Sequence, residues 1–195
     1  VSFKRPKEYI MNRRSFLALG AKAAVGLCLS RTAPAWANIP SSLFELSEKP
    51  RKLSFYHTHT HERLNITYAK SGKYDPAALV KINNYLRDFR TSEMYPIDPG
   101  VLDILWTIQQ RMCCNNTYEV ISGYRSPKTN RQLRKKSNGV AKRSLHMQGK
   151  AIDVRITGEK TKTVRDCAIS LESGGVGYYA KSDFVHLDTG RVRTW

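Results

Sequence analysis

The stretch that decides the fold is SLHMQGKAID, residues 144–153, in which a histidine and an aspartate lie seven positions apart. On a straight helix His146 and Asp153 would be about 10 Å apart along the axis, and on a straight strand more than about 20 Å apart. Neither distance lets the two side chains share one ion, so the chain must turn back between them. Gly149 is the natural position for that turn, because glycine adopts left-handed backbone conformations without steric cost.

The residues after this turn alternate in the manner of a half-buried strand. Apolar side chains occupy every second position from Ile152 to Ile156, so that Asp153 faces the opposite side. A hairpin would therefore bring Asp153 beside His146 and away from the core.

A second stretch, DFVHLD at residues 183–188, shows the same alternation. Its valine and leucine point to the core, so His186 projects from the other face. Two imidazoles and one carboxylate are common protein ligands of a catalytic zinc, whose fourth position stays open for water. The spacing therefore makes His146, Asp153 and His186 candidate metal ligands; the alternative is a set of unrelated surface side chains.

Peptide hydrolysis also needs a carboxylate that takes the proton of water and passes it to the leaving amine. Asp183 is the first candidate for this base. In an ideal strand Asp183 would point away from His186, so the assignment requires a loop or bulge at residues 181–183. Asp188 shares a face with His186 and is the reserve candidate.

These elements fit the pattern S-x-H-x-x-G-x-A-x-D at residues 144–153 and D-x-x-H at residues 183–186. The pattern resembles the signature of the M15 metallopeptidases, which include zinc D,D-carboxypeptidases, dipeptidases and phage endolysins. The resemblance implies that His146, Asp153 and His186 bind Zn²⁺ and that Asp183 is the catalytic base.

The stretch SGYRS, residues 122–126, resembles the Ser-Gly-x-Arg element of the same family. Its Arg125 would hold or polarise a substrate carbonyl or carboxylate, because a guanidinium fork stays charged and fits a carboxylate. By the same resemblance Ser144 is assigned with Arg125 to substrate binding. The alternative for Arg125 is a turn residue before Pro127.

Further stretches are similar to one branch of the family, the periplasmic murein endopeptidase K group, formerly a domain of unknown function. They are residues 59–62, 97–100, 139–142 and 174–179, with Trp195. The resemblance implies a zinc-dependent endopeptidase that cuts the peptide crosslinks of peptidoglycan. A non-catalytic wall-binding module and a zinc carboxypeptidase or dipeptidase on small peptides stay open, as does the choice between D,D and L,D bonds.

The first 37 residues are interpreted as an export signal of the twin-arginine type. Arg13 and Arg14 precede an apolar stretch that ends near Leu29 and is too short to span a membrane. Ala35 and Ala37 have the small-x-small spacing of a cleavage site. Cleavage near Ala37 would leave residues 38–195 as the peptidase domain in the periplasm, without membrane insertion, whether translation starts at Val1 or Met11.

The composition is that of a globular protein with a strong positive charge. The 195 residues are 41% hydrophobic, and 33 basic against 16 acidic side chains give a net charge of +17. A run from Arg125 to Arg143 holds eight basic residues and no acid. It is interpreted as a positive rim for an anionic wall polymer or as a solvated helix face. Nucleic acid is disfavoured as a partner, because no aromatic residue is interleaved to stack on bases.

The remaining pattern predicts a single α+β domain, with a small antiparallel sheet that carries the zinc site and packs against helices. The predicted elements are a long strand or hairpin at 52–68, helices beginning at Asp75-Pro76 and Asp98-Pro99, a strand at 118–122, helices at 130–136 and 163–171, and strands at 176–179 and 184–188.

Two smaller sets of residues have their own alternatives. His57, His59 and His61 alternate on the predicted first strand, either as a polar strand face or as a second metal site. Cys113, Cys114 and Cys167 would remain after cleavage, and their odd number leaves at least one free thiol. They are interpreted as structural thiols, of which one could bridge to Cys167.

Overall fold

The computed structural model describes residues 49–137 and 139–195. The export signal predicted at residues 1–37 lies outside these ranges. The described residues contain one eight-stranded sheet with the spatial order β3-β2-β1-β4-β5-β7-β6-β8. The strands are β1 (Arg51–His57), β2 (Arg63–Lys70), β3 (Lys73–Tyr74), β4 (Tyr118–Ser122), β5 (Ala151–Ile156), β6 (Gly175–Tyr179), β7 (Phe184–Asp188) and β8 (Arg193–Thr194).

Four α-helices and two short 3₁₀ helices connect these strands. The α-helices are α1 (Pro76–Tyr85), α2 (Pro99–Arg111), α3 (Pro127–Lys136) and α4 (Thr161–Ser170), and the 3₁₀ helices are Leu145–Gln148 and Ala180–Ser182. The fold class is therefore α+β, as the sequence predicts. Among the described residues, none of the helices combines the length and apolar character needed to cross a membrane.

The sheet is mixed rather than wholly antiparallel. Strands β1 and β2 form the predicted hairpin, but β1 pairs with β4 in parallel, and β6 pairs with β8 in parallel. The chain passes through α1 and α2 between β2 and β4. It thereby reaches the end of the sheet at which β1 begins, so that β4 runs parallel to β1. Alternation of side chains records which face is buried, but not the direction of the neighbouring strand.

One apolar core lies between the sheet and the helices. Helix α1 packs on β2, α2 packs on β1 and β7, and α4 packs on β5, β6 and β7. The fully buried residues of this apolar core include Leu53, Phe55, Ile82, Leu102, Leu105, Ile108, Ile152, Val154, Val185 and Leu187. Since side chains alternate along a strand, Asp153 and His186 leave β5 and β7 on the face that is turned away from this core.

Helix starts follow the predicted capping residues. The carboxylate of Asp75 accepts hydrogen bonds from the backbone N–H groups of Ala77 and Ala78, and Asp98 caps α2 in the same way through Gly100. Helix α3 begins three residues before its predicted start, because Ser126 caps it and Pro127 occupies its first turn.

Candidate metal centre

The predicted turn between His146 and Asp153 is present. His146 lies in the 3₁₀ helix Leu145–Gln148, which ends at Gly149 with a left-handed φ of 63°. A Cβ atom at Gly149 would overlap the carbonyl oxygen of Pro96, so that both the conformation and the space require glycine. The chain then reverses into β5, which carries Asp153.

Strand register brings the third side chain into place. Asp153 on β5 pairs directly with His186 on β7. His146 Nε2 lies 3.2 Å from Asp153 Oδ1 and 3.1 Å from His186 Nδ1, while His186 Nδ1 lies 2.8 Å from Asp153 Oδ1. All three residues are buried. One ligand atom of each side chain therefore converges on a single point.

Each histidine ring is oriented by a hydrogen bond on its outer side. His146 Nδ1 donates to the carbonyl oxygen of Gly123 at 2.8 Å, because a carbonyl can only accept. His186 Nε2 lies 3.0 Å from Asp188 Oδ2 and donates to it. These bonds turn His146 Nε2 and His186 Nδ1 toward the shared point, which is how proteins orient metal-binding imidazoles.

The reserve base Asp188 is occupied by its own contacts. Its side chain is fully buried, and its two oxygens accept hydrogen bonds from Arg193 at 2.6 and 3.0 Å and from the backbone N–H groups of Gly175 and Gly190. These contacts leave Asp188 to position the His186 ring rather than to accept a proton from water.

The protonation of the cluster follows from burial and mutual charge. Burial opposes ionisation of Asp153, but the neighbouring His146 and His186 hold its pKa far below the usual range for aspartate. Burial lowers the pKa of His146. Burial also disfavours the charged form of His186, yet hydrogen bonds to Asp153 and Asp188 raise its pKa to about 9. The opposite pKa shifts of Asp153 and His186 share one cause, the attraction between the carboxylate and the imidazole.

Arg125 and Ser144 are close to this cluster. Arg125 Nη2 donates to Asp153 Oδ2 at 3.4 Å, and its backbone N–H donates to the carbonyl of His146. Arg125 Nε is buried and has no hydrogen-bond partner among the described residues. Ser144 is buried and lines the same cavity as Arg125. Both predicted substrate-binding residues thus adjoin the three candidate ligands.

The structure does not place Asp183 at the position expected of the base. The required loop exists, because the 3₁₀ helix Ala180–Ser182 precedes Asp183, whose φ is 49°. However, Asp183 Oδ1 accepts a hydrogen bond from Thr161 Oγ1 at 2.8 Å, and Asp183 Oδ2 lies 3.5 Å from Arg155 Nη1. Its side chain is 61% exposed. The carboxylate is thus directed to the start of α4, and the structure does not bring it together with the three candidate ligands.

The three candidate ligands line a cavity of about 520 Å³. Aromatic side chains form one side of it: the ring of Trp195 lies 5.3 Å from that of His186, and Tyr179 stacks on Phe184. Trp195 Nε1 donates to the hydroxyl of Tyr179 at 3.1 Å. A Cβ atom at Gly177 would contact the Trp195 ring at 2.7 Å. Trp195 and the stretch at residues 174–179 contribute to the resemblance, but no spacing in the sequence indicates that Trp195 and Tyr179 line the cavity.

Comparisons with known proteins show the family of the chain. The family model described as peptidoglycan L,D-endopeptidase MepK matches residues 45–195. A peptidoglycan L,D-endopeptidase MepK from Escherichia coli K12 is 40% identical over 184 residues, which cover 94% of this chain and 97% of the relative. The chain belongs to the MepK family. A probable MepK from Haemophilus influenzae is 41% identical over 187 residues, covering 94% of this chain and 95% of that protein. No solved structure gives a significant match.

The three histidines near β1 do not form a second metal-binding group in the described part of this MepK-family chain. Strand β1 ends at His57, whose buried Nδ1 accepts hydrogen bonds from the backbone N–H groups of His59 and Thr60. His59 instead stacks on Phe89, with ring centroids 4.3 Å apart. The predicted placement of all three histidines on one strand is wrong, because β1 ends at His57 and the chain turns there into the hairpin. Within residues 49–137 and 139–195, His146, Asp153 and His186 form the one group whose ligand atoms could hold a metal ion.

The three cysteines are free thiols in the structure. Cys113 is exposed, and Cys114 and Cys167 are half-buried. The latter two pack against the apolar core at the ends of α2 and α4. Cys114 and Cys167 are therefore placed as structural thiols, whereas Cys113 is exposed, and the possible bridge to Cys167 is not formed among the described residues.

Proposed function

We propose that this chain is a zinc-dependent endopeptidase that hydrolyses peptide crosslinks of peptidoglycan. The observation that carries the proposal is the convergence of His146 Nε2, Asp153 Oδ1 and His186 Nδ1 in the cavity of a MepK-family chain. The relatives are named L,D-endopeptidases, and we infer that this chain cuts the same kind of bond.

The residues present fit a zinc ion. Both inward-facing imidazole nitrogens have their outer partners satisfied, so without a cation they would direct two lone pairs at each other across 3.1 Å. Hydrogen bonds to Asp153 and Asp188 raise the pKa of His186, so this ring holds a proton readily. Two nitrogens and one carboxylate oxygen match the ligand preference of zinc, and a metal must displace such protons to bind. Zinc held there would lower the pKa of a bound water and polarise a carbonyl.

The surrounding side chains supply binding and proton transfer. Arg125 retains an unpartnered buried Nε and lines the cavity, and we assign to it the oxygen of a substrate carbonyl or carboxylate. Ser144 lines the same wall as a second polar contact. Asp183 remains the proposed base: its contacts to Thr161 and Arg155 lie at a largely exposed position, where breaking an ion pair costs only about 0–1 kcal/mol.

Digestion of purified peptidoglycan with and without a chelator tests the proposal. Without chelator, the protein should release fragments whose new ends identify an L,D bond. The chelator should abolish this release until zinc is restored. Protein that binds the wall but releases no fragment would support the non-catalytic module instead. Cleavage of free dipeptides without cleavage of the wall would support a carboxypeptidase or dipeptidase.

We also propose that the protein acts in the periplasm after twin-arginine export. The proposal is supported by Arg13 and Arg14 in the sequence and by the location of the peptide crosslinks that the enzyme would cut.

A further inference from the structure

Helix α3 and the segment that follows it carry a cluster of exposed cations beside the cavity. We call this surface the basic ridge, and its members are Lys128, Arg131, Arg134, Lys135, Lys136, Lys142 and Arg143. We propose that the basic ridge binds the carboxylate-bearing peptide strands of peptidoglycan and holds the insoluble polymer against the cavity. This inference rests on the proposed function and names the part of the substrate that lies outside the reacting bond.

No member of the ridge is paired with an acidic side chain of the described residues; the nearest carboxylate at this helix, that of Asp88, accepts the backbone N–H of Ser126. The chain contains no aspartate or glutamate from residue 120 to residue 152. Every member of the ridge is exposed, and none forms an ion pair within residues 49–137 and 139–195. An exposed positive field of this kind attracts an anionic polymer.

Packing does not account for the sequence of α3. The helix buries only Thr129 and Asn130. Its cations recur three and four positions apart, as in Lys128, Arg131 and Lys135, and like charges at these spacings destabilise a helix. Cations in the last turn favour the helix dipole, but Lys128 lies in the first turn, where the dipole opposes it. Neither packing nor helix stability therefore selects the cations of the first two turns, and a binding role would select them.

The ridge is attached to the catalytic cavity. Ser137, Arg143 and the segment from Gly139 to Ala141 line the cavity wall. The side-chain amide of Asn130 in α3 donates to the carbonyl of Ala141 at 3.1 Å and ties this wall to the helix. A polymer strand leaving the cavity along this wall would meet the ridge directly.

Peptidoglycan fits the ridge better than the other anionic polymers. Stacking on nucleic-acid bases requires aromatic side chains, and residues 125–143 contain none. Binding at a lipid surface requires exposed apolar anchors, and the large exposed apolar side chains of the described residues lie outside this stretch. The peptide strands of peptidoglycan carry free carboxylates on both sides of each crosslink, which suits a line of cations beginning at the cavity.

Two triple variants that lose the same number of positive charges distinguish binding by the ridge from the effect of the net charge of the protein. The ridge variant is R131Q/R134Q/K135Q, and the matched control is K70Q/K73Q/K81Q, whose lysines are exposed on β2, β3 and α1 at the far end of the sheet. Binding of each full-length protein to purified intact sacculi is measured by co-sedimentation at low temperature over about 50 to 500 mM salt.

The ridge variant should bind sacculi about tenfold more weakly than wild type, while the control should stay within about twofold. Wild-type binding should fall more steeply with salt than binding of the ridge variant. In wall digestion the ridge variant should raise KM by a similar factor and change kcat less than about twofold.

Equal binding by both variants would overturn the inference, as would wild-type binding to anionic phospholipid vesicles as tight as binding to sacculi. These outcomes are independent of the proposed function, whose failure would appear as the absence of released fragments with wild-type protein.

Discussion

Gly149 is the residue on which the geometry of the site depends most directly. Gly149→Ala should destabilise the protein and lower its zinc content, because alanine would adopt a left-handed φ and overlap the Pro96 carbonyl. Gly72→Ala is the matched control: its φ is 71°, but nothing lies within 4 Å of an added Cβ. Thermal unfolding should show a loss of roughly 1 kcal/mol for Gly72→Ala and about 2–4 kcal/mol for Gly149→Ala. Equal losses would mean that the overlap is relieved by movement.

His146→Ala tests the assignment of the metal ligands. The variant should lose bound zinc and hydrolytic activity together, since one of three protein ligands is removed. His59→Ala provides the comparison, because His59 is exposed and stacks on Phe89 outside the cavity. Metal analysis and fragment release on the same samples make the measurement. Full zinc retention in His146→Ala would remove this residue from the ligand set.

Asp183→Asn tests the base, the assignment that the structure supports least. If Asp183 turns into the cavity during reaction, the amide variant should bind zinc normally and lose about 10²- to 10⁴-fold in rate. A rate loss below about fivefold would exclude the role. Asp188→Asn is the complementary variant, and we expect it to weaken zinc binding, because Asp188 positions His186 and is fully buried.

At the scale of single elements, His57 at the end of β1 makes the free energy of unfolding depend on pH. Burial lowers the pKa of His57 to about 4, so the unfolded chain binds the extra proton more readily between pH 6.5 and 4. The stabilising contribution is complete above pH 6.5 and is lost as the pH falls toward 4.

His57→Asn should remove this dependence, because its oxygen can still accept the backbone N–H groups of His59 and Thr60 but cannot titrate. Between pH 7 and pH 4 wild type should lose about 3 kcal/mol more unfolding free energy than the variant. Denaturant unfolding at both pH values measures the difference. Parallel pH profiles for the two proteins would contradict the low pKa of His57.

Local signals in the sequence predicted the elements well where they were complete. The Asp-Pro pairs gave the starts of α1 and α2, and alternation gave β5 and β7. Helix α3 begins before the predicted Asn130, because Ser126 caps it and Pro127 occupies its first turn. The parallel neighbours of β1 and β6 could not be predicted, because strand direction depends on contacts between distant parts of the chain.

At the scale of the whole molecule, the spacing of residues predicted the cluster of His146, Asp153 and His186 but not the surroundings that control it. The positioning role of Asp188 depends on Arg193 and on two backbone N–H groups from other turns. The direction of the Asp183 side chain depends on Thr161 in α4. Such partners come together only in the folded chain and leave no fixed spacing in the sequence.

Export gives a prediction for the full-length chain. Replacing Arg13 and Arg14 by lysine should leave the precursor in the cytoplasm, because the paired arginines are the expected recognition signal of the twin-arginine route. Cell fractionation with an antibody against the peptidase domain makes the measurement. Continued export in a strain without that translocase would show that another pathway carries the protein.

The direct pairing of Asp153 with His186 has a consequence for the quality of a protein population. A slip of one residue between β5 and β7 would turn one of these side chains into the apolar layer. A molecule with this shifted register would lack one of the three candidate ligands. It would then have no hydrolytic activity, rather than an altered choice of bond. For the zinc site that we propose, correct pairing of the two central strands is therefore a condition for binding the metal.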